Sequence, residues 1–123
     1  MLRKRTVLVI DDDTEQLDVL SALLQHHGYQ VTARSSARDA LAYLRDDHTP
    51  DVILLDLMMP DFDGWDFRVQ QRRDPRLARI PVVALSAAGR LVDAEVLLRK
   101  PIPTDELLSA IDRVESARAS RHG

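Results

Sequence analysis

No cysteine occurs in the 123 residues, which excludes disulfides and thiolate metal sites and is compatible with a reducing compartment. No apolar run approaches the length of a membrane span; the longest are strand-sized. Nor is there an excess of positive charge. A formal net charge of −3 and a pI near 5.7 give no global electrostatic reason to bind nucleic acid or anionic lipid. Met1-Leu2-Arg3-Lys4-Arg5 is basic, but the apolar run that follows is too short for a signal peptide and ends on three aspartates. These absences predict a cytoplasmic protein with no membrane partner and no direct nucleic-acid partner. No repeat, linker or low-complexity segment divides the chain. With 45% hydrophobic and 30% charged residues it reads as one globular domain.

What is present is an alternation of strands and helices. Thr6-Val7-Leu8-Val9-Ile10 is continuously apolar, as a strand buried on both faces should be, and it ends on Asp11-Asp12-Asp13. A helix is expected from Asp13 or Thr14, with Leu17, Leu20, Ser21 and Leu24 on one face and Gly28 as its stop. Tyr29 to Arg34 alternates as an edge strand does, and Ser35 or Ser36 caps a second helix carrying Ala37, Ala40, Leu41 and Leu44. Asp51 to Leu55 reads as a buried strand with Asp56 where it runs out. The loop from Met59 to Gly64 leads into a helix through Trp65, Phe67 and Val69, which Asp74-Pro75 ends. Further strands are expected at Ile80 to Ser86 and Val96 to Arg99. Thr104 is read as the cap of a last helix with Leu107, Leu108, Ile111 and Val114, and residues 116–123 as a fraying tail beyond a core of about residues 6–114. Such alternation predicts an α/β fold with a doubly wound parallel sheet.

In a parallel sheet the carboxyl ends of all strands lie on one edge, where ligands bind. Asp11 to Asp13, Asp56, Ser86 and Lys100 each follow such an end. Carboxylates within about 4 Å repel by about 4 kcal/mol per pair at an effective dielectric near 20 unless a cation intervenes. Few carboxylates with open water positions suit Mg²⁺, which commonly bridges protein to phosphate. Lys100 adds a point charge and Ser86 a hydroxyl donor for phosphoryl oxygens. An aspartate in this company can attack phosphorus, and Asp56 is the central candidate. The metal set expected is Asp11, Asp12, Asp56 and the Met58 backbone carbonyl, with Asp11 acting through water.

These residues resemble the receiver domain of two-component response regulators. Val9-Ile10-Asp11-Asp12-Asp13 is similar to its acidic pair and Asp56-Leu57-Met58-Met59-Pro60 with Gly64 to its phosphoacceptor loop. Ser86-Ala87 is similar to its hydroxyl and small residue, and Lys100-Pro101 to its lysine and proline. The resemblance spans Thr6 to Val114. It implies a five-stranded sheet of flavodoxin-like order 2-1-3-4-5 and a switch rather than an enzyme of turnover. A histidine kinase or histidine phosphotransfer protein would donate phosphate to Asp56 with Mg²⁺, and an unknown downstream protein would read the change. Met58 and Ala88 would flank the hydrolytic water.

Two departures stand out. Only thirteen residues separate Ser86 from Lys100, and the fifth strand takes several of them. The helix that the family places between strands four and five, its fourth, is therefore expected to be reduced or absent by about two turns, roughly 10 Å, with Ala87 to Ala94 a loop or single turn. The family's switch aromatic corresponds to Leu97, which has no ring to swing. A phosphorylation-independent interaction module is thus the alternative function. A phosphatase of the haloacid dehalogenase type fits less well: Asp11 and Asp13 match its first motif, but Glu15 stands where threonine or valine belongs. His26, His27, His48 and His122 are given no role, and Arg72, Arg73, Arg76 and Arg79 are read as a solvated basic face.

Overall fold

The computed structural model describes residues 4–56, 64–86, 96–99 and 102–122. Five strands, β1 (Thr6–Ile10), β2 (Gln30–Arg34), β3 (Val52–Asp56), β4 (Val82–Ser86) and β5 (Val96–Arg99), form one sheet in the order β2-β1-β3-β4-β5 with every pair parallel. The helices are α1 (Thr14–His26), α2 (Ala37–Arg45), α3 (Gly64–Arg73), α4 (Pro75–Ala78) and α5 (Thr104–His122). Strand side chains alternate between faces, and the core divides accordingly. Leu8, Ile10, Ile53 and Leu55 pack with Ala40 and Leu44 of α2, Phe67 of α3 and Leu77 of α4. Val7, Val9, Val52 and Leu54 pack on the opposite face with Leu24 of α1 and Leu107, Ala110 and Ile111 of α5. β1 and β3 are covered on both sides, which is why their sequences are continuously apolar.

Local chemistry sets the helix ends. The Asp13 carboxylate accepts from the N–H groups of Glu15 (3.1 Å) and Gln16 (3.2 Å), and Ser36 Oγ accepts from Asp39 N–H (3.0 Å), so both caps fall where the sequence puts them. Gly28 stops α1 at φ +92°, a left-handed conformation that returns the Tyr29 N–H to the Leu24 carbonyl at 3.0 Å.

Four expectations are corrected. Pro75 does end α3, but it also occupies the first turn of the short α4, which Asp74 caps through Arg76 N–H at 3.0 Å. β4 starts at Val82 rather than Ile80, because Pro81 cannot donate to the ladder; its carbonyl still accepts from Ile53 N–H at 3.0 Å. Thr104 is the first residue of α5 and not its cap, since the Leu107 N–H reaches the Pro103 carbonyl at 3.1 Å. Residues 116–122 are not a frayed tail: α5 continues through His122, over a stretch with no Gly or Pro to stop it. The expectations for Ala87 to Ala94 and for Met59 to Asp63 lie outside the described residues. α4 precedes β4 and so is not the helix expected between β4 and β5.

Candidate phosphoacceptor site

β1 delivers its acids to the carboxyl edge by simple exhaustion of the strand. Asp11 follows Ile10, its N–H still bonded to the Arg34 carbonyl of β2 at 3.2 Å, and its Oδ1 accepts from Asp13 N–H at 2.9 Å. That bond fixes the turn from which α1 departs and leaves Asp12 exposed at the rim. Asp56 is the last residue of β3, paired in register with Leu85 of β4, and only 4% exposed. Asp11 is 1% exposed. One carboxylate oxygen from each of Asp11, Asp12 and Asp56 lies within 4.8 Å of the others.

Three carboxylates at that spacing, two of them buried, form a concentrated negative site. Hard oxygen donors with an open, solvent-facing side fit a small divalent cation such as Mg²⁺, which keeps part of its water shell. Residues 45 positions apart in sequence meet here because β1 and β3 are neighbours in a parallel sheet. Ser86 ends β4 on the same edge, and Leu97 lies in β5 paired with Ala84. The side chains of Ser86 and Leu97, together with Met58, Ala87, Ala88, Lys100 and Pro101, lie outside the described residues.

A family model described as the response regulator receiver domain matches residues 7–112. The chain belongs to the response regulator receiver domains. Among curated relatives, Protein PilH of Pseudomonas aeruginosa is 30% identical over 116 residues, covering 88% of this chain and 95% of PilH. The DNA-binding dual master transcriptional regulator RpaA of Synechocystis is 36% identical over 113 residues, covering 85% of this chain but 46% of RpaA. Among solved structures, the chemotaxis protein CheY4 of Vibrio cholerae superposes with a TM-score of 0.84 at 28% identity, covering 91% of this chain and 99% of CheY4. A receiver domain of Clostridium thermocellum gives 0.84 at 26%, covering 94% and 97%.

Receiver domains of this kind are signalling switches of two-component systems and are not generally classed as enzymes, so the phosphatase alternative falls away. Among the described residues no helix is long and apolar enough to cross a membrane.

The basic run of this receiver domain is not uniformly solvated. Arg76 reaches back to the end of α2, donating to the His48 carbonyl (3.0 Å), to Thr49 Oγ1 (2.7 Å) and to the Leu44 carbonyl. Sequence reasoning also passed over Gln71, which is fully buried. Its amide donates to the carbonyls of Leu77 (2.9 Å) and Ile80 (3.0 Å) and accepts from Arg68 at 2.7 Å, binding α3 to the α4 turn. A polar residue in a run rich in arginine gives no periodic signal, so nothing in the sequence marked it.

Proposed function

We propose that this receiver domain accepts a phosphoryl group from a phosphohistidine donor on Asp56, and that the modification switches a protein–protein interaction. The observation that carries the reading is the convergence of Asp11, Asp12 and Asp56 within 4.8 Å at the carboxyl edge, with Asp56 at a strand end. An Asp56 oxygen attacks phosphorus in line with the leaving nitrogen. The new P–O bond forms as the P–N bond breaks, and the histidine nitrogen leaves with the electron pair and takes a proton. Asp11, Asp12, Asp56 and the Met58 carbonyl would hold Mg²⁺, which supplies charge neutralisation of the phosphoryl oxygens. Lys100 supplies a second positive charge and the Ser86 hydroxyl a hydrogen bond to the transferred group. Attack of water on the aspartyl phosphate, breaking the P–O bond, returns the carboxylate.

A histidine kinase or histidine phosphotransfer protein is the donor in this reading, and a downstream protein the reader. Only residues 87–95 join β4 to β5. That short connection favours a readout elsewhere, or the alternative of an interaction module that works without phosphate. Intact mass after incubation with acetyl phosphate and Mg²⁺ decides between them. The expected result is a phosphate adduct on the wild type that requires Mg²⁺ and is absent from Asp56→Ala. No adduct from either acetyl phosphate or a phosphohistidine donor would leave the binding-module reading standing.

A further inference from the structure

The geometry points to head-to-tail association of this chain with a second copy of itself. In the parallel sheet each helix runs back against the strands, so helix starts and strand carboxyl ends share one edge and helix ends share the opposite one. The starting edge is acidic: Asp12, Glu15, Asp39, Asp66, Asp105 and Glu106 are all exposed there. The opposite edge is basic where α2, α3 and α4 meet, carrying Arg45, Arg72, Arg73, Arg76 and Arg79.

Helix dipoles explain why acids gather at starts and bases at ends. They do not neutralise the arginines. Arg45 donates to the neutral Gln70 amide at 3.4 Å, and Arg76 to two carbonyls and a hydroxyl, so neither charge is cancelled by those bonds. Arg73 and Arg79 are exposed and have no partner among the described residues. The nearby acids are Asp46, Asp47 and Asp74, of which Asp74 is engaged as the α4 cap. Five guanidiniums against three carboxylates leave this edge positive.

An occupant must present clustered carboxylates to such an edge. A polyanion such as nucleic acid would meet net repulsion from a chain of formal charge −3. The acidic edge of a second copy presents carboxylates at helix starts with complementary sign. The contact is heterologous: each copy uses two different surfaces, so association is open-ended rather than closing at a dimer. The acidic edge carries Asp56, so a docked copy obstructs whatever approaches that carboxylate.

Sedimentation velocity across micromolar to millimolar protein, at about 20 mM and about 0.5 M ionic strength, tests this. The weight-average sedimentation coefficient should climb with concentration at low ionic strength and stay flat in high salt. Arg73→Glu/Arg79→Glu and Glu15→Lys/Glu106→Lys should each remain monomeric alone. Their equimolar mixture retains one matched pair of edges and should therefore stop at dimers. Arg79→Glu alone should weaken association, while Arg113→Glu, an exposed residue on the α5 layer with the same net charge change, should leave it unchanged. Circular dichroism checks that each variant is folded. A flat coefficient at low ionic strength, association that survives high salt, or equal loss in Arg113→Glu would each overturn the inference.

Discussion

Asp56 and Gln71 are both buried polar residues, and they answer to opposite accounts. Gln71 satisfies its hydrogen-bonding groups, so its removal leaves two carbonyls and an arginine without their partner. Gln71→Ala should lower stability by about 2–4 kcal/mol, read from urea unfolding as a lower midpoint at unchanged slope. Asp56 instead adds charge to a cluster that already holds Asp11 and Asp12. Asp56→Asn should therefore raise the thermal midpoint in metal-free buffer, by the equivalent of about 1 kcal/mol. Mg²⁺ should raise the midpoint of the wild type by mass action and that of the variant much less. A lower midpoint for Asp56→Asn without metal would mean that the carboxylate is held by bonds worth more than the repulsion. The acids were legible in the sequence because a strand end is legible, and parallel topology sends every strand end to one edge. Gln71 was not, because its environment is made by α4, an element of four residues whose only sequence signal, Asp74-Pro75, reads equally well as an end and as a beginning.

Among the elements, α1 has the most fully specified boundaries: an aspartate cap, thirteen residues and a glycine stop. Gly28 has nothing within 4 Å of where a Cβ would sit, so the cost of a side chain there is conformational and not steric contact. Gly28→Ala should cost about 1 kcal/mol in urea unfolding and Gly28→Asn less, since asparagine tolerates the left-handed region. Equal losses would show that the stop depends on something other than backbone conformation. α5 was the least legible element. Its apolar positions end at Val114, and a helix that outruns the core has no periodicity to declare itself; only the absence of Gly and Pro hinted at the continuation through His122. The β2 edge strand was recovered because alternation and the flanking Gly28 and Ser36 agree, whereas β4 lost its first two expected residues to the one property of Pro81 that apolar patterning ignores.

At the scale of the molecule, the two ends of the chain are tied together across the α1/α5 face. Arg5 lies just before β1, and its guanidinium pairs with Asp112 (3.1 Å) and Glu115 (3.0 Å) of α5. Both partners sit in the half of α5 that the core reaches last, so this clamp is what joins the first strand to the last helix outside the apolar packing. The hydrogen bond to Asp112 and the charge of Glu115 raise the Arg5 pKa above its ordinary value. Tyr29, beside Arg5, is also raised, from its ordinary 10.0, by burial first and by the Glu115 charge second. A phenol raised on folding holds its proton more tightly in the folded state than in the unfolded one. Its contribution is fully present below about pH 10 and is lost as pH climbs through the higher folded value. Arg5 has the same sign at still higher pH. Stability should therefore decline on the alkaline side from about pH 10, where the unfolded tyrosine ionises first. Tyr29→Phe should show a shallower decline over that window than the wild type, even if it is less stable at neutral pH. Much of the phenol remains solvent-accessible, so the difference should be a partial flattening of the profile. Urea unfolding at a series of alkaline pH values measures it directly, and parallel profiles for the two proteins would remove Tyr29 from the clamp's pH response.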